Sequence, residues 1–66
     1  MKNRIKVARA ERDLSQADLA DQIGVSRQTI NSIETGRYVP STILALKLAK
    51  VFEKTVEEIF QLEETD

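Results

Sequence analysis

Two short helical patterns in residues 15–34 are separated by only three residues, and this spacing constrains the fold more than any other feature. Ser15 is placed to cap the first helix, because Asp18 three residues later completes a capping box. Gly24 follows the last apolar residue of that helix, where a glycine commonly ends a helix in the left-handed conformation. Two helices joined this closely must pack against each other, and the small Ala20 side chain lets them approach.

The second of these helices has an outward face that is rich in hydrogen-bonding side chains and poor in carboxylates. Ser26 caps the helix, Ile30 and Ile33 are spaced for burial, and the first carboxylate comes only at Glu34. The outward side chains are Arg27, Gln28, Thr29, Asn31 and Ser32. A solvated helix face normally mixes Glu with Lys, so this face is typical of a surface that contacts hydrogen-bond acceptors and negative charge. Taken alone, the segment also fits an ordinary polar helix face.

The rest of the chain predicts three further helices and no sheet core, because no alternation of β-branched residues is long enough for one. These helices are expected at about residues 3–12, 41–52 and 56–60. A second capping box, Thr55 with Glu58, opens the last of them. The sequence therefore predicts an all-α, five-helix domain with a helix-turn-helix at about 15–35. A short strand pairing between the segment after Phe60 and the N-terminus, or a second copy, is a further possibility.

The length and the missing residue types narrow the function classes. The 66 residues allow one domain, 1–66, with a core at about 4–60. There is no cysteine and no histidine, and the carboxylates have no pocket-sized core to desolvate them. We therefore expect no catalytic site, no metal and no cofactor. No apolar run approaches the roughly 18 residues of a membrane span, so no membrane partner is expected and the cytoplasm is the default location.

Charge is distributed unevenly along the chain. Residues 1–52 hold nine Lys and Arg against five Asp and Glu, which gives +4. Residues 53–66 hold one Lys against six Asp and Glu, which gives −5, and the two parts sum to the net charge of −1. This asymmetry predicts a basic body with an acidic tail at 61–66, which is expected to fray beyond Leu62. Plain solvation of both ends explains the charges equally well.

The segment "LSQADLADQIGVSRQTINSIETGRYVPS", followed by "LALKLAKVF" and "VEEIF", resembles the phage lambda/434 repressor and Cro-like family over about residues 4–60. The similarity is greatest to short standalone bacterial and archaeal members that have no ligand domain. The resemblance implies a regulator of transcription that binds double-stranded DNA with its recognition helix, about 27–34, in the major groove. We expect a repressor that acts as a homodimer on an inverted-repeat operator.

The resemblance also implies roles for individual residues. The residues expected to contact bases are Arg27, Gln28, Asn31 and Ser32. Those expected to contact the DNA backbone are Gln16, Ser26, Thr29, Arg37 and Tyr38. Arg9 and Glu34 match a pair that forms a buried salt bridge in some members, although two solvated charges are the simpler alternative. Asp13 and Glu53 stand where the family commonly has glycine, which predicts a cost of roughly 1 kcal/mol at a left-handed position.

The C-terminal part is unusually apolar, which suggests that part of it serves assembly. Phe52, Val56 and Phe60 are expected in the core of the monomer. The residues expected to form an isologous dimer patch are Val39, Ile43, Ile59 and Leu62. Duplication through a two-fold axis would also compensate for the few base-reading side chains that one small domain can offer.

Two other function classes are weighed against DNA regulation. The first is a protein-interaction module of the same fold, antitoxin-like or an adaptor, in which a partner protein is the main ligand. The exposed apolar residues would favour it, and a second regulatory protein is therefore a possible partner. The second is a ligand-sensing regulator, which the short chain argues against. Binding to randomised duplexes separates DNA regulation from the adaptor.

Overall fold

A computed structural model describes all 66 residues and consists of five helices and one two-stranded antiparallel sheet. The elements are β1 (Lys2–Asn3), α1 (Ile5–Glu11), α2 (Gln16–Ile23), α3 (Arg27–Glu34), α4 (Thr42–Phe52), α5 (Val56–Ile59) and β2 (Phe60–Gln61). The predicted five-helix fold with its helix-turn-helix is confirmed. None of the helices combines the length and the hydropathy that crossing a membrane requires.

The terminal strand pairing that the sequence left open is present within the chain. Lys2 lies opposite Gln61 and Asn3 lies opposite Phe60. Because Lys2 and Asn3 belong to this strand, α1 begins later than the sequence suggested. The side-chain amide of Asn3 also donates to the carbonyl of Ile33 at 3.0 Å, so β1 is tied to the end of α3.

Local capping fixes the ends of the helices in the helix-turn-helix. Ser15 Oγ accepts from the Asp18 N–H at 3.0 Å, and Asp18 Oδ2 accepts from the Ser15 N–H at 3.1 Å. The hydrogen bond from the Ser15 main chain lowers the pKa of Asp18. Gly24 ends α2 at φ 74°, and Ser26 Oγ caps α3 through the Thr29 N–H at 3.1 Å. The turn between the helices is therefore set by residues adjacent to it.

The core is entirely apolar and is built from every helix. Its buried residues are Ile5, Ala8, Leu19, Ala20, Ile23, Ile30, Ile33, Leu48, Phe52, Ile59 and Phe60. Phe52 and Phe60 lie where the sequence placed them, whereas Val56 is only half-buried against the core surface. α2 packs against α3, and the buried residues Ala20, Ile23, Ile30 and Ile33 belong to the same core cluster. The inward side of α3 is therefore fixed, and its opposite side faces solvent.

The assignment of Ile59 to a dimer patch was wrong, because this side chain is 0% exposed. α5 is a single turn whose apolar residues all point in one direction, and Ile59 therefore enters the monomer core. The Ile59 carbonyl accepts a hydrogen bond from the Arg4 N–H at 2.8 Å, which joins the N-terminal segment to the end of α5.

The tail forms a turn in place of the expected frayed end. The Glu63 N–H donates to Asp66 Oδ2 at 2.8 Å. The amino group of Met1 lies 3.0 Å from Glu63 Oε1 and 3.0 Å from Asp66 Oδ1. Hydrogen bonds to Glu63 and Asp66 raise the pKa of this amino group. The antiparallel pairing of β1 and β2 brings these charges together, a consequence that the local sequence does not reveal.

Two residues have left-handed backbone conformations at the positions where glycine was expected. Asp13 has φ 54° and Glu53 has φ 53°. An L-residue with a long side chain is strained there, because its Cβ approaches the carbonyl oxygen. Glu53 Oε2 lies 2.9 Å from Arg12 Nη2, but this pair is exposed and contributes little.

We predict that Glu53→Gly stabilises the fold by about 0.5–1 kcal/mol, because relief of the left-handed strain outweighs the loss of an exposed salt bridge. Thermal and urea unfolding measure the change. Glu53→Gln is the matched control, since it removes the salt bridge and keeps the strain. A glycine variant less stable than the glutamine variant would contradict the strain argument.

Candidate nucleic-acid interface

The outward face of α3 presents polar side chains because the inward face is held by the core. Ile30 and Ile33 are 0% and 1% exposed, which leaves Arg27, Gln28 and Asn31 on the solvent side. All three of these side chains are exposed. The two other polar residues of this face, Thr29 and Ser32, are half-buried. The face thus has three protruding side chains, beside the partly buried hydroxyl groups of Thr29 and Ser32.

A polar depression of about 350 Å³ separates α3 from the loop that follows it. Its lining residues are Ser26, Gln28, Thr29, Ser32 and Tyr38, five of the nine residues that the sequence assigned to DNA contact. The N–H groups of Arg37 and Tyr38 both donate to the Ser32 carbonyl, at 2.9 Å and 3.2 Å, and so hold the loop beside the helix. Such a surface can donate many hydrogen bonds to an acceptor-rich ligand.

The positive charges next to this depression are free. Arg27 and Arg37 are exposed, and neither has a carboxylate within salt-bridge distance. The one carboxylate of α3, Glu34, is neutralised by Arg9. This side of the molecule therefore offers unpaired cations to a negatively charged partner, although the whole chain carries a net charge of −1.

Arg9 and Glu34 form a bidentate ion pair between α1 and the end of α3. Arg9 Nε lies 2.7 Å from Glu34 Oε2, and Arg9 Nη2 lies 3.1 Å from Glu34 Oε1. The remaining nitrogen, Nη1, donates to the Leu14 carbonyl at 3.0 Å. The side chains are 15% and 8% exposed. Hydrogen bonding to Glu34 raises the pKa of Arg9 further above its already high value. The ion pair joins α1 to the end of α3.

Gln16 contacts α3, although the sequence assigned it a separate role at the start of α2. Its Nε2 donates to Asn31 Oδ1 at 3.2 Å and to Glu34 Oε1 at 3.4 Å. The main-chain N–H of Gln16, in the first turn of α2, has no partner within the protein. The link between Gln16 and Asn31 was missed because it depends on the crossing of two helices, for which the sequence pattern gives no side-chain register.

A second set of exposed side chains is apolar. Val39, Ile43 and Leu62 are 65%, 67% and 82% exposed. Leu46, which was not singled out from the sequence, is 58% exposed and lines a shallow apolar depression of about 270 Å³ with Val39. The signal for Leu46 was its spacing, since it follows Ile43 by three residues and so shares a helix face with it. This surface has no occupant within the chain.

Comparisons with known proteins agree with this geometry. The chain matches the helix-turn-helix family over residues 5–59. An uncharacterized HTH-type transcriptional regulator of Methanocaldococcus jannaschii is 52% identical over 66 residues, which cover 100% of both chains. One from Bacillus subtilis is 50% identical over 64 residues, covering 97% of each chain. The crystal structure of the restriction-modification controller protein C.AhdI from Aeromonas hydrophila is similar with a TM-score of 0.77 and 30% identity, covering 85% of each chain.

We predict that Glu34→Gln destabilises the fold by about 2–3 kcal/mol, because it leaves the largely buried Arg9 charge without a counter-charge. Glu53→Gln makes the same change in an exposed pair and should cost less than about 1 kcal/mol. Urea unfolding compares the two variants. Equal losses would mean that the Arg9–Glu34 pair contributes no more than a surface pair.

Proposed function

This chain belongs to the helix-turn-helix family of DNA-binding transcriptional regulators, and we propose that it is a repressor that binds an inverted-repeat operator as a homodimer. The observation that carries the proposal is the outward face of α3. It combines exposed amide side chains, a recess of hydroxyl groups and the unpaired Arg27 on the second helix of the motif, with the unpaired Arg37 on the adjoining loop. In this fold, that helix enters the major groove.

Base reading falls to the protruding side chains of α3. The amides of Gln28 and Asn31 can form hydrogen bonds to base edges. The guanidinium of Arg27 can donate two hydrogen bonds to guanine, at O6 and N7. Ser32 lies in the recess, where its short hydroxyl reaches a base only when the helix is fully seated in the groove. These four residues supply direct readout at a few base pairs of each half-site.

Positioning falls to groups around the edge of that face. Ser26, Thr29 and Tyr38 contribute hydroxyl groups, and Arg37 contributes a free cation on the adjoining loop. Gln16 lies at the start of α2, where its unpartnered main-chain N–H can donate to a phosphate. Contacts of this kind set the register of the protein on the duplex and carry no sequence information themselves.

A two-fold dimer follows from the small number of base-reading side chains. One recognition helix reads too few base pairs to select a site within a genome. The exposed apolar side chains of Val39, Ile43, Leu46 and Leu62 lie outside α3 and offer apolar area for an isologous interface. A dimer built through it would present two copies of α3 to successive major grooves. Repression needs no contact with another protein, because a dimer bound across a promoter excludes RNA polymerase from it.

A protein-interaction module is the second candidate, and the same apolar surface favours it. In that case Val39, Ile43 and Leu46 would bind a partner protein, and DNA would be a minor ligand or none. Selection of the protein's preferred sites from randomised duplexes, followed by footprinting of the selected sites, separates the two candidates. The proposed function expects an inverted repeat whose affinity falls steeply with salt, since each neutralised phosphate contributes roughly −0.9 to the slope. Failure to enrich any sequence would support the interaction module.

We predict that Gln28→Ala lowers affinity for the selected operator by about 1–3 kcal/mol and much less for random DNA, because a base contact is lost. The base preference should flatten at one or two base pairs in each half-site, so the altered positions should appear twice, related by symmetry and about one helical turn apart. Gln22→Ala is the matched control, since Gln22 is an exposed glutamine on α2. A Gln28→Ala profile that keeps the wild-type preferences and loses only overall affinity would make Gln28 a positioning residue.

We predict that the double change Ile43→Ser and Leu46→Ser converts the dimer to a monomer while leaving the fold intact, because both side chains are exposed. Sedimentation at micromolar concentration, free and on the operator, reports the change. Val7→Ser is the control, since Val7 is an exposed apolar residue on α1. A wild-type protein that sediments only as a 7.5 kDa monomer in both conditions would rule out the dimer.

A further inference from the structure

We infer that Gln16 orients the side-chain amide of Asn31 so that it donates to DNA, and that Asn31 consequently selects guanine. This inference deepens the proposed function and rests on it, because it concerns which base one residue of α3 reads. It rests on a series of hydrogen-bonded side chains that runs from the interior of the protein to the exposed face of α3. The four residues, in order, are Arg9, Glu34, Gln16 and Asn31.

At the buried end of this series, the direction of the hydrogen bonds between Arg9 and Glu34 is fixed. A guanidinium can only donate and an ionised carboxylate can only accept. Arg9 occupies both carboxylate oxygens of Glu34, at 2.7 Å and 3.1 Å. Any further side chain that approaches Glu34 must therefore present a donor. Gln16 lies 3.4 Å from Glu34 Oε1, so its amide nitrogen, and not its oxygen, faces the ion pair.

The hydrogen bond between Gln16 and Asn31 fixes the orientation of the exposed Asn31 amide in the same way. The amide nitrogen of Gln16 has two hydrogens, and the second points to Asn31 Oδ1 at 3.2 Å. If the Asn31 amide were turned over, its own NH₂ group would face the NH₂ group of Gln16. Asn31 therefore turns its oxygen toward the protein. Its nitrogen makes no hydrogen bond within the chain and remains on the exposed side as a donor of two hydrogens.

A donor-only amide discriminates between bases. Guanine presents two adjacent acceptors, O6 and N7, in the major groove, and the two hydrogens of one NH₂ group can satisfy both. Adenine presents a donor beside its acceptor, and it pairs best with an amide that offers both its oxygen and its nitrogen. Cytosine presents a donor alone. An asparagine whose oxygen is held by Gln16 should therefore prefer guanine, whereas a freely rotating asparagine would prefer adenine.

Gln16 is a positioning residue in this account, because it acts on the base only through Asn31. Its loss would free the Asn31 amide to turn over without removing any group that touches a base. The expected signature is a change in which base is preferred, and not a uniform loss of affinity. Loss of a purely structural or phosphate-binding glutamine would weaken all sequences alike.

The test compares wild type, Gln16→Ala, Asn31→Ala and the double variant over a randomised duplex library. At the base pair that Asn31→Ala flattens, wild type should prefer guanine over adenine by about fivefold or more. Gln16→Ala should reduce that ratio below about twofold or reverse it. The double variant should match Asn31→Ala, because Gln16 has nothing left to orient. Gln22→Ala on the same helix should match wild type.

Several outcomes would overturn the inference while leaving the proposed function standing. One is a wild-type preference for adenine at the Asn31 position, and another is a Gln16→Ala profile that still favours guanine. An unchanged profile in Asn31→Ala would mean that Asn31 reads no base. A wild-type protein that enriches no sequence would instead overturn the proposed function itself.

Thermal unfolding confirms that each variant is folded. In the free protein, the NMR shifts of the Asn31 side-chain NH₂ should move in Gln16→Ala and stay unchanged in Gln22→Ala.

Discussion

The packing of α2 on α3 is the constraint on which the rest of the structure depends. The two helices are joined by a turn of three residues, and Ala20, Ile23, Ile30 and Ile33 are almost fully buried in one core cluster. With one side of α3 fixed in this way, the opposite side has to face solvent. Burial of a few apolar side chains therefore decides which polar side chains are available to a ligand. The ion pair between Arg9 and Glu34 then holds the far end of the same helix.

Features determined by neighbouring residues could be predicted from the sequence, whereas features that depend on tertiary contact could not. The capping boxes and the left-handed Gly24 involve residues at most three apart, so the sequence contained the information, whereas the left-handed Glu53 was expected only from the glycine common at that position in the family it resembles. Ile59 was misplaced because its burial depends on how a single turn of helix meets the terminal sheet. The contact between Gln16 and Asn31 was missed for a similar reason, since fifteen positions separate them in the chain.

The fold divides its surface between two uses. Polar and cationic groups lie on α3 and the loop after it, whereas the exposed apolar side chains of Val39, Ile43 and Leu46 lie before and along the first half of α4 and Leu62 lies in the C-terminal tail. A hydrophobic core of eleven residues supports both surfaces, which is economical for a chain of this length. The acidic net charge is compatible with DNA binding, because the one carboxylate of α3, Glu34, is neutralised by Arg9.

The central claim is that α3 is the part of this chain that enters the major groove. Amide NMR shifts recorded while a selected duplex is titrated into the protein test it most directly, since every non-proline residue reports separately. If α3 enters the groove, the largest changes are expected at residues 26–38 and at the start of α2, with residues 43–46 changing little. Changes concentrated at residues 39–46 and 62, with α3 unaffected, would contradict it and would place the binding surface on the apolar face.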